Sequence, residues 1–214
     1  MIVEERMAAY INSLDPGNTP ELEELEAEAR RAGVPVIRRE LQSLLKTLLA
    51  FHKPRQILEV GTATGFSALF MSEYAGPQAR ITTIENYEKR IPIARENIRR
   101  LGKQEQIQLL AGDAKEILPA LTGAFDLVFM DAAKGQYLYF LPEVLRLLQG
   151  GGLLISDNVL QEGRIIDSRF AVERRDRTIH SRMREYLYEL KHHPELTTAI
   201  LPLGDGVTVS VKKQ

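Results

Sequence analysis

From residue 55 onward, short apolar runs alternate with longer segments whose apolar residues recur every three or four positions. The short runs have the length of strands, and the longer segments have the period of helices that bury one face. Runs that are apolar nearly throughout are typical of a parallel sheet covered on both faces. We predict five such strands, at 56–60, 80–85, 107–110, 125–130 and 152–156.

Helices are predicted between and after these strands, at 67–73, 88–101, 114–121, 138–148 and 174–192. Two final strands, at 196–202 and 207–211, flank a Gly204-Asp205-Gly206 turn that can join them as an antiparallel hairpin. The predicted fold is therefore α/β: a doubly wound, Rossmann-like, mainly parallel seven-stranded sheet with a C-terminal antiparallel hairpin.

The residues before the first strand have helical patterns. An amphipathic segment is followed by a charged helix at 21–31, an extended link at 34–37 and a helix at 38–51 with one apolar stripe. No repeat or shift in composition marks a second domain. We therefore predict a single domain over 1–214, with an N-terminal helical cap at 1–33 and the core at 34–214.

Composition excludes several classes of protein. The chain has 214 residues, of which 44% are hydrophobic and 27% charged, as is ordinary for a soluble globular domain. The absence of cysteine excludes disulfides, thiolate catalysis and cysteine-based zinc sites. No signal peptide or membrane-spanning run is found, so we expect a cytoplasmic protein without a membrane partner. The net charge of −1 argues against wholesale coating of nucleic acid, but a local basic patch stays open.

The candidate chemistry lies where the strands end. The first strand runs into a turn with glycines at 61 and 65, which permit a positive φ and the close approach of a ligand. Many purely structural strand-to-helix turns use glycine too. However, all five strands carry an acid at their carboxyl ends, where ligands bind in parallel sheets. These acids are Glu59, Glu85, Asp113, Asp131 and Asp157. Asp113 alone is equally typical of a helix N-cap.

Two ligands are indicated by the positions of these acids. An acid at the end of the second strand, as at Glu85, can accept both ribose hydroxyls of a nucleoside. The turn lacks the third glycine that a pyrophosphate requires, which favours a nucleoside without phosphates. Asp131, Asp157 and Asn158 offer two carboxylates and one amide oxygen, the hard ligands that suit Mg²⁺ or Mn²⁺. Simple capping of a loop by the last two is the structural alternative.

Five motifs, in this order, resemble the cation-dependent O-methyltransferases that use S-adenosyl-L-methionine, the group of the catechol and caffeoyl-CoA enzymes. They are Glu-Val-Gly-Thr-Ala-Thr-Gly-Phe-Ser (59–67), Ile-Glu-Asn (84–86), Gly-Asp-Ala (112–114), Met-Asp-Ala-Ala-Lys (130–134) and Ser-Asp-Asn-Val-Leu (156–160). The resemblance spans 34–211 and implies a methyltransferase fold. One departure is Arg38-Arg39-Glu40, which stands where the family usually has Gly-Gln after the link.

The resemblance also implies residue roles. Those that hold or border the cofactor are Ile37, Glu59, Gly61, Ser67, Glu85, Asp113, Ala114 and Asp131. Glu59, Gly61 and Ser67 would take its methionine end, Glu85 the ribose, and Asp113 with Ala114 the adenine. Asp131, Asp157 and Asn158 would hold the metal.

For the reaction we assign catalytic roles to Asp131 and Lys134. The metal would bind two neighbouring substrate oxygens and lower the pKa of the hydroxyl to be methylated. Lys134 would take that proton or steady the oxyanion. Lys134 as a plain surface lysine is the alternative.

The substrate prediction depends on arginines near the expected site. They are Arg38, Arg39, Arg164, Arg169, Arg174, Arg175 and Arg177. Clustered arginine is typical of phosphate binding, although acids are interspersed here. The 174–178 run and the 202–207 segment resemble the bacterial branch that methylates 5-hydroxyuridine at the tRNA wobble position. We therefore predict a tRNA anticodon-loop substrate, with a small catechol or phenylpropanoid as the alternative.

Two further interpretations complete the sequence predictions. A non-enzymatic nucleoside-binding or RNA-binding module would have no use for the combination of Asp131, Asp157 and Asn158, so we favour an enzyme. The resemblance implies a homodimer, whose partner the helices of 1–33 would contact; their pattern fits packing within one chain nearly as well.

Overall fold

The computed structural model describes residues 3–168 and 170–214. Among these residues, seven strands form one sheet in the order β3-β2-β1-β4-β5-β7-β6. The strands are β1 (Gln56–Val60), β2 (Arg80–Glu85), β3 (Ile107–Ala111), β4 (Phe125–Met130), β5 (Leu148–Ser156), β6 (Leu196–Leu201) and β7 (Val207–Lys212). The first five strands are parallel, and β7 pairs antiparallel with both β5 and β6. The predicted fold is thus confirmed, including its C-terminal hairpin.

Eight α-helices accompany the sheet in the described part of the chain. They are α1 (Glu5–Ser13), α2 (Pro20–Arg31), α3 (Arg39–His52), α4 (Phe66–Tyr74), α5 (Ile91–Arg100), α6 (Ala114–Ala120), α7 (Tyr137–Leu147) and α8 (Arg177–His192). Short 3₁₀ turns cover Lys134–Gln136 and Gln161–Ile166. Within the described ranges, no helix is both long enough and apolar enough to cross a membrane.

Successive side chains along the strands point to opposite faces of the sheet, and they contribute to two apolar clusters, one on each face. Leu58 and Val60 of β1 belong to the cluster that includes buried residues of α6, α7 and α8. Ile57, whose side chain is on the opposite face of the same strand, belongs to the cluster that includes residues of α2, α3 and α4. Both faces of β1 are therefore buried from Ile57 to Val60, as its mainly apolar sequence predicts.

Three elements begin three or more residues from their predicted starts, and the other boundaries agree to within one residue. Helix α5 begins at Ile91 rather than 88, because Tyr87–Arg90 forms a turn and Pro92 sits in the first helical turn, where its missing N–H costs nothing. Helix α8 begins at Arg177 rather than 174. Strand β5 begins at Leu148, four residues early, and passes through glycines with a register shift opposite Phe125–Leu127.

Backbone hydrogen bonds continue beyond the parallel strands and align their carboxyl ends. The amide of Asp131 donates to Val60 O at 3.0 Å, and the amide of Asp157 donates to Met130 O at 3.0 Å. On the other side of β1, Gly61 N donates to Ile84 O at 3.0 Å. The acid-bearing strand ends therefore meet at one edge of the sheet.

Candidate active site

A cavity of about 510 Å³ lies at the carboxyl ends of β1, β2 and β4. The link at 35–37 borders it on one side, and the residues just after β3 border it on another. Seven residues that the sequence predicts for the cofactor line it: Ile37, Gly61, Ser67, Glu85, Asp113, Ala114 and Asp131. The structure thus brings these positions, spread over 95 residues from 37 to 131, to one concave surface.

The glycine turn passes very close to β4. Gly61 has φ +101°, and a Cβ built on it would lie 2.2 Å from the carbonyl oxygen of Asp131. Only glycine fits there, on grounds of both φ and space. The same turn buries the hydroxyl of Thr64, whose Oγ1 has no hydrogen-bond partner in the described residues although Thr64 lines the cavity. A buried polar atom of this kind indicates a missing polar ligand.

Glu59 does not line the cavity. Its side chain is fully buried behind the wall, where its two oxygens accept hydrogen bonds from the hydroxyls of Ser67 and Thr83. Burial raises the pKa of Glu59 to about 7, although both hydroxyl bonds oppose that rise. In this structure Glu59 therefore orients Ser67, a cavity residue, rather than meeting a ligand itself.

Glu85 lies at the cavity wall and is 7% exposed. One carboxylate oxygen accepts from Ala63 N at 2.7 Å and the other from Tyr87 N at 2.8 Å. These two backbone bonds fix the plane of the carboxylate. Because an ionised carboxylate offers about four lone-pair positions, it can still accept hydroxyls from a ribose.

Asp113 is the N-cap of α6, which was the structural alternative in the sequence. Its Oδ1 accepts from Lys115 N at 2.9 Å. It also lines the cavity together with Ala114. Capping and a place at the cavity wall therefore coexist in one side chain.

Asp131, Asp157 and Asn158 meet at the ends of β4 and β5, next to the cavity. Asn158 Nδ2 donates to Asp131 Oδ1 at 3.1 Å, and Asn158 N donates to Asp157 Oδ1 at 2.6 Å. Asn158 has φ +60°, a left-handed conformation that turns its side chain back toward Asp131. Asp131 alone of the three also lines the cavity.

Asp131 and Asp157 are both carboxyl groups whose ionisation is costly. Burial raises the pKa of both Asp131 and Asp157, and for Asp157 the charge of Asp131 raises it further. A bound cation would relieve this repulsion. The described residues contain no group of three or more Asp, Glu, His or Cys side chains that could hold a metal ion. The candidate centre instead combines two carboxylates with the amide of Asn158.

Lys134 lies in the 3₁₀ turn after β4, within electrostatic range of the pair. Its positive charge lowers the pKa of both Asp131 and Asp157, against the larger effect of burial. It does not line the cavity, and its ammonium has no ion pair in the described ranges. Its roles as proton acceptor or oxyanion partner stay predictions.

The structure adds one residue that the sequence analysis missed. Tyr137, the first residue of α7, is fully buried, and its hydroxyl lies 3.0 Å from Asp157 O and 3.2 Å from Met130 O. It links the backbones of β4 and β5 directly under the candidate metal ligands. Its apolar neighbours in sequence gave no signal beyond a core helix.

Most of the predicted RNA-binding arginines that the structure describes are engaged within the chain. Arg39 pairs with Glu23 at 2.5 Å and Glu26 at 3.0 Å, which lowers the pKa of Glu23 to about 2. Arg175 pairs with Glu173 at 2.9 Å.

Arg38 pairs with Asp205, and Arg177 donates to the backbone of Val172. Arg164 and Arg174 are exposed and have no side-chain bond to the described residues. Arg169 lies outside the described residues. Of the six arginines that the structure describes, four therefore have partners within the chain and two, Arg164 and Arg174, do not.

A nucleoside-sized cavity next to a pair of carboxylates on a doubly wound sheet is an arrangement typical of methyltransferases that work with a bound cation. Residues 12–213 match the model of the O-methyltransferase family, and the chain belongs to that family.

Individual relatives agree with this assignment. The chain is 34% identical over 161 residues to a catechol O-methyltransferase of Mycobacterium tuberculosis, covering 74% of this chain and 73% of that protein. It is 29% identical over 178 residues to caffeoyl-CoA O-methyltransferase 1 of Eucalyptus globulus, covering 77% and 70%. The SAH-bound crystal structure of a Podospora anserina methyltransferase superposes with a TM-score of 0.87 at 29% identity, covering 98% and 95%.

Proposed function

We propose that this chain transfers a methyl group from S-adenosylmethionine to one of two neighbouring oxygens on a flat ring, with the help of a divalent cation. The observation that carries the proposal is that Asp131 belongs to two sites. It lines the nucleoside-sized cavity, and it accepts a hydrogen bond from Asn158 of the candidate metal centre. A donor in the cavity and an acceptor at the metal centre would therefore share one wall.

The cavity residues fit such a donor. The unpartnered hydroxyl of Thr64 and the nearby Ser67 suit its carboxylate, and Glu85 suits its ribose. Gly61 passes so close to the carbonyl of Asp131 that no side chain stands between the glycine turn and the end of β4. A relative's crystal structure with SAH supports the same ligand class.

The candidate metal centre fits a hard divalent ion. Two carboxylates and one amide, all oxygen donors, are typical of Mg²⁺ or Mn²⁺ sites that leave positions for water and substrate. When bound, such an ion supplies positive charge that favours the ionised form of a substrate hydroxyl. Lys134 adds positive charge on the same side. In the transfer, a carbon–oxygen bond forms as the carbon–sulfur bond breaks. The hydroxyl proton leaves to water or to the neutral amine form of Lys134, whereas the ammonium form of Lys134 can only steady the oxyanion.

For the substrate we infer a small catechol or phenylpropanoid. The curated relatives at 34% and 29% identity carry catechol and caffeoyl-CoA in their names. In addition, four of the predicted RNA-binding arginines are already engaged inside the chain, which weakens the electrostatic case for a polyanion. A catechol presents two vicinal oxygens to one cation.

The second candidate substrate is 5-hydroxyuridine in the tRNA anticodon loop. Arg164 and Arg174, exposed and unbonded, and the 84% exposed ring of Phe170 favour it, since these groups suit phosphates and an unpaired base. The 5-hydroxyl and O4 of that base are also vicinal oxygens. The same reaction at the same centre would therefore produce 5-methoxyuridine.

A direct comparison of substrates tests the proposal. Purified enzyme with labelled S-adenosylmethionine and Mg²⁺ is offered 3,4-dihydroxybenzoate or tRNA that carries 5-hydroxyuridine, with and without EDTA. Methylation of the catechol that EDTA abolishes supports the main proposal. Transfer to tRNA alone, reduced in Arg164→Gln/Arg174→Gln, would replace the small substrate with the second candidate. Full activity in EDTA with either substrate would overturn the metal role.

We also propose a homodimer. Helix α1 and the residue that follows it leave four large apolar side chains at least half exposed, which a second copy would cover: Met7, Tyr10, Ile11 and Leu14. Light scattering on the wild type and on Tyr10→Asp/Leu14→Asp tests this, and equal masses at the monomer value would refute it.

A further inference from the structure

The link that borders the cavity ends in an ion pair with the C-terminal hairpin. Ile37 is buried against the cavity, and the next residue, Arg38, places Nη2 2.9 Å and 3.0 Å from the two carboxylate oxygens of Asp205. The side chain of Asp205 is only 15% exposed and that of Arg38 37%. The pair is therefore partly shielded from solvent, so salt screens its attraction less than that of a fully exposed pair.

The hairpin turn that contains Asp205 also holds the loop that follows the candidate metal ligands. Leu160 N donates to Asp205 O at 2.9 Å, and Val159 N donates to Gly206 O at 3.0 Å. A Cβ on Gly206 would lie 2.2 Å from Leu160 Cγ, so the turn and the loop are in direct contact.

Arg38 reaches the loop directly as well. Its Nη2 lies 3.8 Å from Oε1 of Glu162, in a segment where Gln161, Glu162 and Gly163 all have positive φ. Non-glycine residues adopt that conformation at a cost, so the surrounding contacts must stabilise it. The backbone bonds of Val159 and Leu160 to the Asp205 turn supply such support, and Arg38 adds a weaker electrostatic attraction to the 62% exposed side chain of Glu162.

We propose that Arg38 is a positioning residue that couples closure of the cofactor-covering link to the order of the substrate loop at 159–166. The inference rests on the proposed function only in taking the cavity as the donor site. Occupation of the cavity fixes the link, the link fixes Arg38, and Arg38 holds Asp205 and Glu162 in place. By thermodynamic reciprocity, an ordered loop would then strengthen donor binding by the same factor.

The choice of arginine matters for this role. Its guanidinium can contact Asp205 and Glu162 at once, whereas lysine offers a single compact charge. Arg38→Lys should therefore retain part of the coupling, and Arg38→Met should lose it. Asp205→Asn removes the same pair from the hairpin side and serves as the second variant if Arg38→Met folds poorly.

The amides of Val159 and Leu160 report the coupling directly, because they donate to the hairpin turn. Hydrogen exchange of residues 159–166 is measured with and without SAH in the wild type, Arg38→Met, Arg38→Lys and Asp205→Asn. We expect SAH to slow exchange about five- to tenfold in the wild type, by an intermediate factor in Arg38→Lys, and less than twofold in the other two. Calorimetry on each protein confirms that SAH still binds.

Arg39→Gln is the matched control. Arg39 is the next residue, but its partners Glu23 and Glu26 lie on α2, away from the loop. Its loss should lower the melting temperature and leave the response of the loop intact. Equal slowing of exchange in the wild type, Arg38→Met and Asp205→Asn would overturn the coupling. Failure of the wild type to bind SAH would overturn the proposed donor site, and with it the premise of the coupling.

Discussion

The phenol of Tyr137 lies 3.0 Å from the backbone carbonyl of Asp157, so the first residue of one helix supports the end of a strand that carries a candidate metal ligand. The ring is fully buried and contacts Tyr186 edge-on at 5.3 Å, and Tyr186 in turn bonds Ser156 at 2.6 Å. This tyrosine pair fixes the backbone on which Asp157 stands. The positions of metal ligands depend on such supporting bonds as much as on the ligands themselves.

Tyr137→Phe should therefore weaken Mg²⁺ binding. Removal of the hydroxyl leaves the carbonyl of Asp157 without this buried donor, which should cost about 1–2 kcal/mol of stability. Met130 O still accepts from the amide of Asp157. Calorimetric titration with Mg²⁺ should show a several-fold lower affinity. Tyr186→Phe, which loses only its bond to Ser156, should lower stability with a smaller effect on Mg²⁺. The same loss of affinity in both variants would contradict a specific role for Tyr137.

Asp157→Asn should abolish stabilisation by Mg²⁺. In the wild type, a saturating ion should raise the melting temperature, since a ligand at 100 times its Kd adds about 2.7 kcal/mol. The variant should melt at or above the wild-type temperature without metal, because asparagine replaces a buried carboxyl whose ionisation is opposed by burial and by the charge of Asp131.

Thermal melts with 0 and 10–20 mM Mg²⁺ (roughly, chosen to exceed Kd) measure both effects. Asp167→Asn is the control, since Asp167 has no side-chain bond in the described residues and should respond to Mg²⁺ like the wild type. A rise in melting temperature that survives in Asp157→Asn would exclude Asp157 as a ligand.

Glu59→Gln should change the pH dependence of stability. The pKa of Glu59 is raised from 4.5 to about 7, so the folded state binds its proton more tightly than the unfolded chain. As pH rises from 4.5 to 7, this group therefore lowers the free energy of unfolding, by roughly 3 kcal/mol in total.

Because glutamine does not titrate, the difference in unfolding free energy between Glu59→Gln and the wild type should grow across that window and level off above pH 7. Urea unfolding at several pH values measures the difference. A constant difference from pH 4.5 to pH 8 would mean that the pKa of Glu59 is not raised.

Gly61→Ala should abolish donor binding and destabilise the chain. A methyl group at this position would lie 2.2 Å from Asp131 O, so the glycine turn and the end of β4 must separate. Gly76→Ala separates this steric effect from the cost of a positive φ. Gly76 has φ +89° with nothing within 4 Å of its Cβ position, and should cost only about 1–2 kcal/mol.

Calorimetric titration with SAH and thermal melts compare the two glycine variants. We expect normal SAH affinity in Gly76→Ala and none in Gly61→Ala. Similar affinity in both would show that the close approach of Gly61 to Asp131 is not needed for the cavity.

Local sequence predicts the sheet and the edge at which the acids lie. An apolar run marks a buried strand, and the acid that follows it marks the position where the strand ends. Local sequence does not predict which way an individual side chain points or which distant residue it contacts. The side chain of Glu59 lies on the same face of the sheet as that of Ile57, two residues earlier, because strand side chains alternate. It is therefore buried under α4 instead of reaching the cavity. The starts of α5, α8 and β5 were also missed, because turns and a register shift decide them.

The arginines show the same limit at long range. Their clustering in sequence is real, but Arg38 meets a partner 167 residues away and Arg39 one 16 residues away. No local pattern contains such pairings. The number of arginines available to a substrate can therefore be counted only once the ion pairs within the fold are known.

In its described residues, the segment between Asn158 and α8 is attached to the rest of the molecule by few polar contacts. Two backbone amides donate to the hairpin turn, Arg184 Nη1 donates to Ile165 O at 2.9 Å, Arg177 donates to the carbonyls of Val172 and Phe170, and Arg38 lies near Glu162. The candidate metal ligands lie before this segment, on strand ends that other contacts hold. Selectivity for a new acceptor could consequently be grafted onto this scaffold by exchanging that segment, with the methyl-donor half of the enzyme carried over unchanged.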